Sequence, residues 1–227
     1  VHPVRFKICC IQSAEEAQLA IQYGAHALGL VAAMPSGPGP IEEGRIAEIV
    51  RSLPVGVDTV LLTSLSQPEK IARQQQRTGT SSIQLCSPLN EAARVQLAAL
   101  LPSVKLMQVV HVIGEDSYLN ALRAARGSHC LLLDTGSPDA RVPVLGGTGR
   151  THDWSISRRI VEECGVPVYL AGGLHRGNVA EAIRTVRPFG VDVCNGVREE
   201  MQLVENRLSE YVAEINRVNT EIVAEGR

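Results

Sequence analysis

Short, nearly continuous apolar runs alternate along the chain with longer segments whose apolar residues recur every three or four positions. The runs are VRFKICC (4–10), ALGLVA (27–32), VDTVLLT (57–63), SIQL (82–85), LMQVVHV (106–112), CLLLDT (130–135), VPVYLAGG (166–173) and VDVCNG (191–196). Most are too short and too uniformly apolar for exposed amphipathic helices, and Gly, Pro or polar residues bound them, as expected of buried parallel strands. The intervening segments read as helices. In SAEEAQLAIQYG (13–24), Ser13 offers an N-cap with Glu16 three residues on as a capping box, and Gly24 stops the helix. The same pattern returns at 41–53, 67–79, 90–101, 116–126, 153–164 and 177–188, and a polar-faced helix is predicted from 198 to 222.

Eight strand-then-helix units without an obvious linker predict an α/β chain in which residues 1–227 form a single (β/α)8 TIM barrel domain. A doubly wound open sheet is the rival. Its dinucleotide-binding form needs a Gly-x-Gly-x-x-Gly after the first strand, where this chain reads CCIQSAEEA. Composition agrees with the barrel, since 44% of residues are hydrophobic and only 3% aromatic, which leaves Val, Leu, Ile and Ala to build the core.

Charge narrows the partners. A formal net charge of −2 gives no dense cationic surface for phosphate backbones, so nucleic acid is not expected as a partner. No apolar run approaches the roughly 20 residues that span a bilayer, and the start VHPVRFKICC lacks the pattern of a secretory signal. The expectation is a soluble cytoplasmic protein that uses no membrane. Six cysteines fit neither a Cys-x-x-Cys zinc pair nor a secreted disulfide framework, and His111, His152 and His175 lack metal-ligand spacing, so reduced thiols and no metal are expected.

In a barrel, chemistry sits at the C-terminal ends of the strands. Gly172-Gly173 and Asn195-Gly196 follow the last two predicted strands, where small residues let backbone N–H groups close around a phosphate; ordinary turn chemistry is the alternative. Asp134 ends an apolar strand, where burial can raise its pKa and make it a proton donor, or it caps the next turn. Cys9 ends the first run and could serve as a base if its thiolate is stabilised, although a cysteine without a neighbouring His reads first as core. Alternation along the strand would turn Cys10 away from the mouth. Gln84 and Asp192 also end strands. The glycine-rich GGTGRTHDW (146–154) is either a lid or a surface excursion.

The ordered set FKICC, GAHALGLV, SIQL, LLLDTGS, GGTGRTHDW, LAGGLHRGNVAEAI and PFGVDVCNGV resembles the phosphoribosylanthranilate isomerase family of tryptophan biosynthesis over most of the chain. That resemblance implies an Amadori rearrangement of an aminoaldose phosphate to an aminoketose phosphate, without cofactor or metal. It implies Asp134 as the general acid that opens the ribose ring and Cys9 as the base that removes the C2 proton. Gly172, Gly173, Asn195 and Gly196 would hold the phosphate, while Gln84 and Asp192 would face the substrate. Several positions depart from the family pattern. A Ser-Pro-Arg whose guanidinium meets the anthranilate carboxylate is replaced by Gly37-Pro38-Gly39, and the glycine after the base is Cys10. The family's Gln-Leu-His-Gly reads Gln84-Leu85-Cys86-Ser87, and the acidic residue of the last motif is Arg198. A phosphosugar isomerase acting on a substrate without the anthranilate carboxylate, and a non-catalytic barrel that binds a phosphorylated metabolite, therefore stand as alternatives.

Overall fold

The computed structural model describes residues 2–135 and 152–225. Its first half comprises β1 (Arg5–Ile8), α1 (Ala14–Gln22), β2 (Ala27–Val31), α2 (Glu43–Ser52), β3 (Asp58–Thr63), α3 (Pro68–Thr78), β4 (Ser82–Leu85) and α4 (Glu91–Leu100). Then follow β5 (Lys105–Val112), α5 (Asp116–Ala125), β6 (Cys130–Thr135), α6 (Trp154–Glu163), β7 (Val168–Leu170), α7 (Val179–Val186) and β8 (Gly190–Val193). All eight strands pair in parallel and in sequence order, and β8 pairs back onto β1, so the sheet is a closed barrel. The expected (β/α)8 architecture is present and the open-sheet rival is excluded.

Strand alternation divides the apolar residues between two cores. Phe6 and Ile8 of β1, Leu131 and Leu133 of β6, and Val191 and Val193 of β8 belong to the layer between sheet and helices. Val60, Leu62, Met107, Val109, Leu132 and Tyr169 fill the barrel interior. Lys7, Asp134 and Asp192 share the inward parity, so polar groups replace apolar ones near the interior's upper end.

Local signals set the helix boundaries. Ser13 Oγ accepts from Glu16 N at 3.2 Å and starts α1, while Gly24, at φ +85°, turns the chain away after it. The returning half of the expected capping box is displaced: Glu16 Oε2 accepts from Gln12 N at 3.0 Å, one residue before the cap. Asn90 and Asp153 cap α4 and α6 through their side chains.

The last predicted helix needs correction. Its first residues, 198–203, instead form β9 (Arg198–Glu199) and β10 (Gln202–Leu203), an antiparallel hairpin, and the helix proper, α8, runs Glu205–Glu225. Glu200 and Met201 both adopt positive φ (45° and 68°), the conformation of a two-residue hairpin turn with the twist that strands prefer. Arg198 is the reason the helical pattern fails there, because its side chain is drawn inward onto Glu16. Strand ends also come earlier than the apolar runs suggest: β1 stops at Ile8 and leaves Cys9 and Cys10 in the following loop. The GGTG part of the proposed lid lies outside the described residues.

Candidate active site

The C-terminal ends of the strands enclose a pocket of about 260 Å³. Cys9, Gln84, Asp134, Gly172, Gly173, Asp192, Asn195 and Gly196, the eight residues expected from sequence, all line it. They arrive from strands spread around the barrel, so closure brings them together.

Asp134 leaves β6 on the interior face, and its Oδ1 accepts from Thr135 N at 2.7 Å. The turn-capping bond and a site at the mouth thus coexist. Burial pushes its carboxyl up to about 6, and the Thr135 N–H opposes that rise only in part. An acid with that pKa holds a proton it can deliver near neutrality.

Cys9 lies opposite in electrostatic character. A hydrogen bond from the Cys10 thiol is the largest influence on it and lowers its pKa, against burial, and the Lys7 cation acts in the same direction. Lys7 was not anticipated as a site residue. It projects from β1 into the barrel with no solvent exposure, and its Nζ meets Asp192 Oδ1 of β8 at 2.7 Å. Burial would lower the lysine's pKa, but Asp192 and Cys9 more than offset this and keep it above the ordinary value. A lysine two residues before Cys9 in an apolar run, matched by an aspartate in the run that closes the barrel, was the available signal.

Cys10 contradicts simple alternation. Its φ of +63° places it in the left-handed region, and the side chain lines the same pocket as Cys9 instead of facing the helices. Its sulfur lies 2.7 Å from that of Cys194, which follows β8. Hydrogen bonding to Cys194 and Cys9, with burial, pushes the Cys10 thiol well above its ordinary pKa.

Behind these thiols, Arg198 Nη2 donates to Cys9 O at 3.0 Å, and its Nη1 meets Glu16 Oε1 at 2.8 Å and Met201 O at 2.8 Å. Glu16 also accepts from Leu203 N at 2.9 Å. The hairpin therefore fixes the backbone of the loop that carries Cys9.

At the other side of the pocket, Gly172 and Gly173 take φ of +87° and +63°. Asn178 holds the turn that follows: its Oδ1 accepts from His175 N at 2.9 Å, and its Nδ2 donates to Gly173 O at 3.0 Å. Gln84 Nε2 donates to Cys86 Sγ at 3.8 Å, whereas Gln84 Oε1 is buried without a partner. Cys86, pushed by burial up to about 12, stays a neutral thiol.

The loop after β2 contributes Ser36, Gly37 and Pro38 to the wall. A Cβ at Gly39 would stand 2.7 Å from Cys10 Cβ, and Gly39 itself has φ +75°. The two departures from the family pattern thus occupy one space: cysteine at 10 requires the absence of a side chain at 39. Among the described residues, no Arg or Lys lines the pocket.

A carboxyl raised to about 6 and a thiol lowered from its ordinary value, in one pocket at the mouth of a (β/α)8 barrel, are an arrangement suited to enzymes that transfer protons. The N-(5'phosphoribosyl)anthranilate (PRA) isomerase family matches residues 6–207, and the chain belongs to that family. It is 37% identical over 209 residues to N-(5'-phosphoribosyl)anthranilate isomerase 2 of Methanosarcina mazei, covering 88% of this chain and 91% of the relative. Among solved structures, phosphoribosyl anthranilate isomerase of Thermotoga maritima superposes with a TM-score of 0.83 at 29% identity, over 94% of this chain and 99% of the other. A second, a phosphoribosyl anthranilate isomerase in complex with reduced 1-(o-carboxyphenylamino)-1-deoxyribulose 5-phosphate, gives a TM-score of 0.80 at 26% identity, over 94% and 99%.

Proposed function

We propose that the protein is a phosphoribosylanthranilate isomerase of tryptophan biosynthesis, catalysing the aldose–ketose (Amadori) rearrangement with Asp134 as acid and Cys9 as base. The observation that carries this reading is that Asp134 and Cys9 line one pocket at the strand ends, and their opposed biases, the carboxyl raised to about 6 and the thiol lowered, agree with it. Asp134 gives its proton to the ribose ring oxygen as the C1–O bond breaks, and the nitrogen lone pair forms the iminium. Cys9 thiolate then removes the proton from C2, and the electron pair moves toward C1 to give the enolamine, which becomes the aminoketose. Both transfers need only side chains of this chain.

The phosphate sits against the turns Gly172-Gly173 and Asn195-Gly196. The two glycines at the end of β7 support this placement, because residues without a Cβ let the backbone of a turn approach an anion closely. The unpartnered Gln84 Oε1 supports a substrate N–H or hydroxyl donor on that side of the pocket. Asp192, anchored by Lys7, faces the sugar.

A phosphosugar fits the chain's net charge of −2 better than nucleic acid does. Among the described residues no helix is long and apolar enough to cross a membrane. All six cysteines are free, which supports a cytoplasmic setting, with residues 1–227 as one barrel domain.

Turnover of phosphoribosylanthranilate by the purified chain tests the reading, with Cys9→Ala and Asp134→Asn as controls; turnover surviving either change removes the assigned roles. The lack of Arg or Lys among the described lining residues favours one second reading, an isomerase whose substrate has no ring carboxylate. Comparing phosphoribosylanthranilate with its decarboxylated analogue separates the two: preference for the carboxylate sinks the second.

A further inference from the structure

The proposed chemistry uses Cys9 and leaves two other thiols of the pocket unaccounted for. Cys10 stands at the exit of β1 and Cys194 at the exit of β8, with sulfurs 2.7 Å apart. We propose that Cys10 and Cys194 form an oxidation site that a hydroperoxide converts to a disulfide, linking the exits of β1 and β8 beside the proposed base and lowering its activity.

The two sulfurs already stand near one another. A disulfide needs its sulfurs at about 2.05 Å, so the pair has only a short distance to close. Cys10 is also held in place: the glycine at 39 leaves room for its Cβ, and its Sγ lies 3.6 Å from Pro38 O. Cys194 is the more accessible partner, only half-buried at the pocket wall, whereas Cys10 is 3% exposed.

The chemistry balances. Cys194, as thiolate, attacks one peroxide oxygen; an S–O bond forms, the O–O bond breaks, and the departing alkoxide or hydroxide takes a proton. Two electrons pass from sulfur to peroxide, leaving a sulfenic acid. The Cys10 sulfur then attacks the Cys194 sulfur, the S–S bond forms and the S–O bond breaks. Hydroxide leaves and takes the Cys10 proton as water.

Cys9, Cys10 and Cys194 line one pocket wall, so the link forms directly beside the base and draws the residue bonded to it out of its present position. A base displaced by about an ångström loses its reach to the substrate, and turnover falls by roughly tenfold or more. This functional consequence rests on the isomerase reading, whereas formation of the link does not.

The test uses the full chain, reduced, then treated with hydrogen peroxide, blocked with N-ethylmaleimide, digested without reductant and mapped by mass spectrometry. The expected product joins the peptide containing Cys10 to that containing Cys194. Because Cys9 shares that peptide, a Cys9→Ser chain assigns the link: it still forms there if Cys10 is the partner. Turnover of phosphoribosylanthranilate falls with link formation and returns with dithiothreitol, and Cys194→Ser abolishes both the link and the reversible loss. Full alkylation after peroxide, a link that vanishes in Cys9→Ser, or a reversible loss that persists in Cys194→Ser overturns the proposal. A link formed in a chain with no turnover supports the oxidation site and counts only against the isomerase reading.

Discussion

Lys7 and Asp192 meet across the seam where β1 closes on β8, with Nζ and Oδ1 2.7 Å apart and both side chains buried. The strand register places the two residues directly opposite one another. Asp192 thereby acquires a fixed orientation toward the pocket, and Cys9, two residues along β1's path, gains a cation that favours its thiolate.

Removing one partner leaves an uncompensated buried charge. Lys7→Met is expected to cost about 3–5 kcal/mol of stability, and Lys7→Met with Asp192→Asn to recover much of that loss. Turnover should stay low in both, since the cation near Cys9 is gone. Urea unfolding of the two variants, paired with steady-state kinetics, checks the separation; recovery of turnover in the double variant would count against a charge effect on Cys9.

Asp134 ties catalysis to pH-dependent stability. Its carboxyl is neutral in the folded chain up to about 6, but ionises near its ordinary value when unfolded. Between about pH 4 and 6 the native state therefore binds more protons, and stability falls as pH rises through that window, by up to about 3 kcal/mol. Asp134→Asn should remove this slope and stabilise the chain at pH 7. The same variant should lose roughly a hundredfold or more in turnover. Denaturation midpoints at pH 4 and pH 7 for both chains give the comparison, and an unchanged slope would show that Asp134 ionises normally.

The shared space of Cys10 and Gly39 predicts non-additivity. Gly39→Ala puts a methyl group 2.7 Å from Cys10 Cβ and also forces a side chain onto φ +75°, so it should destabilise by about 1–3 kcal/mol. In a Cys10→Gly background the steric part disappears and only the backbone cost remains. A double-mutant cycle should show coupling of about 1 kcal/mol or more. Additive effects would mean that the loop yields freely.

Gly172 bears on the phosphate. A Cβ there would lie 2.3 Å from Thr135 Oγ1 and 2.8 Å from Thr135 N, beside Asp134, on backbone at φ +87°. Gly172→Ala should displace the turn and lower kcat/KM by roughly a hundredfold, as a misplacement of about an ångström does. Weaker binding of inorganic phosphate, measured by calorimetry, would accompany it; unchanged phosphate affinity would place the anion elsewhere.

The barrel was readable because parallel strands buried on both faces leave uniform apolar runs, and such runs fall eight times between helical segments. That Cys9, Asp134 and the two glycine-bearing turns would meet in one pocket was readable because the strand ends of a barrel converge at its mouth. Lys7 was missed for a physical reason. Its meaning depends on Asp192, 185 residues away, and nothing short of closure places β1 beside β8. Cys10 was misread because one residue of left-handed backbone cancels the alternation that a strand imposes. The hairpin at 198–203 was misread because its sequence tolerates a helix, whereas the contacts of Arg198 and Leu203 with Glu16, 182 or more residues away, favour the hairpin.

The β1–β8 seam also orders events during synthesis. Lys7 leaves the ribosome 185 residues ahead of the carboxylate that neutralises it. Burying the ammonium without that carboxylate is costly, so a barrel interior lacking β8 has no partner for it. The last strand brings the missing charge, the final wall of the pocket and the edge-covering ladder in one step. The strand that closes the sheet is therefore also the one that completes the pocket.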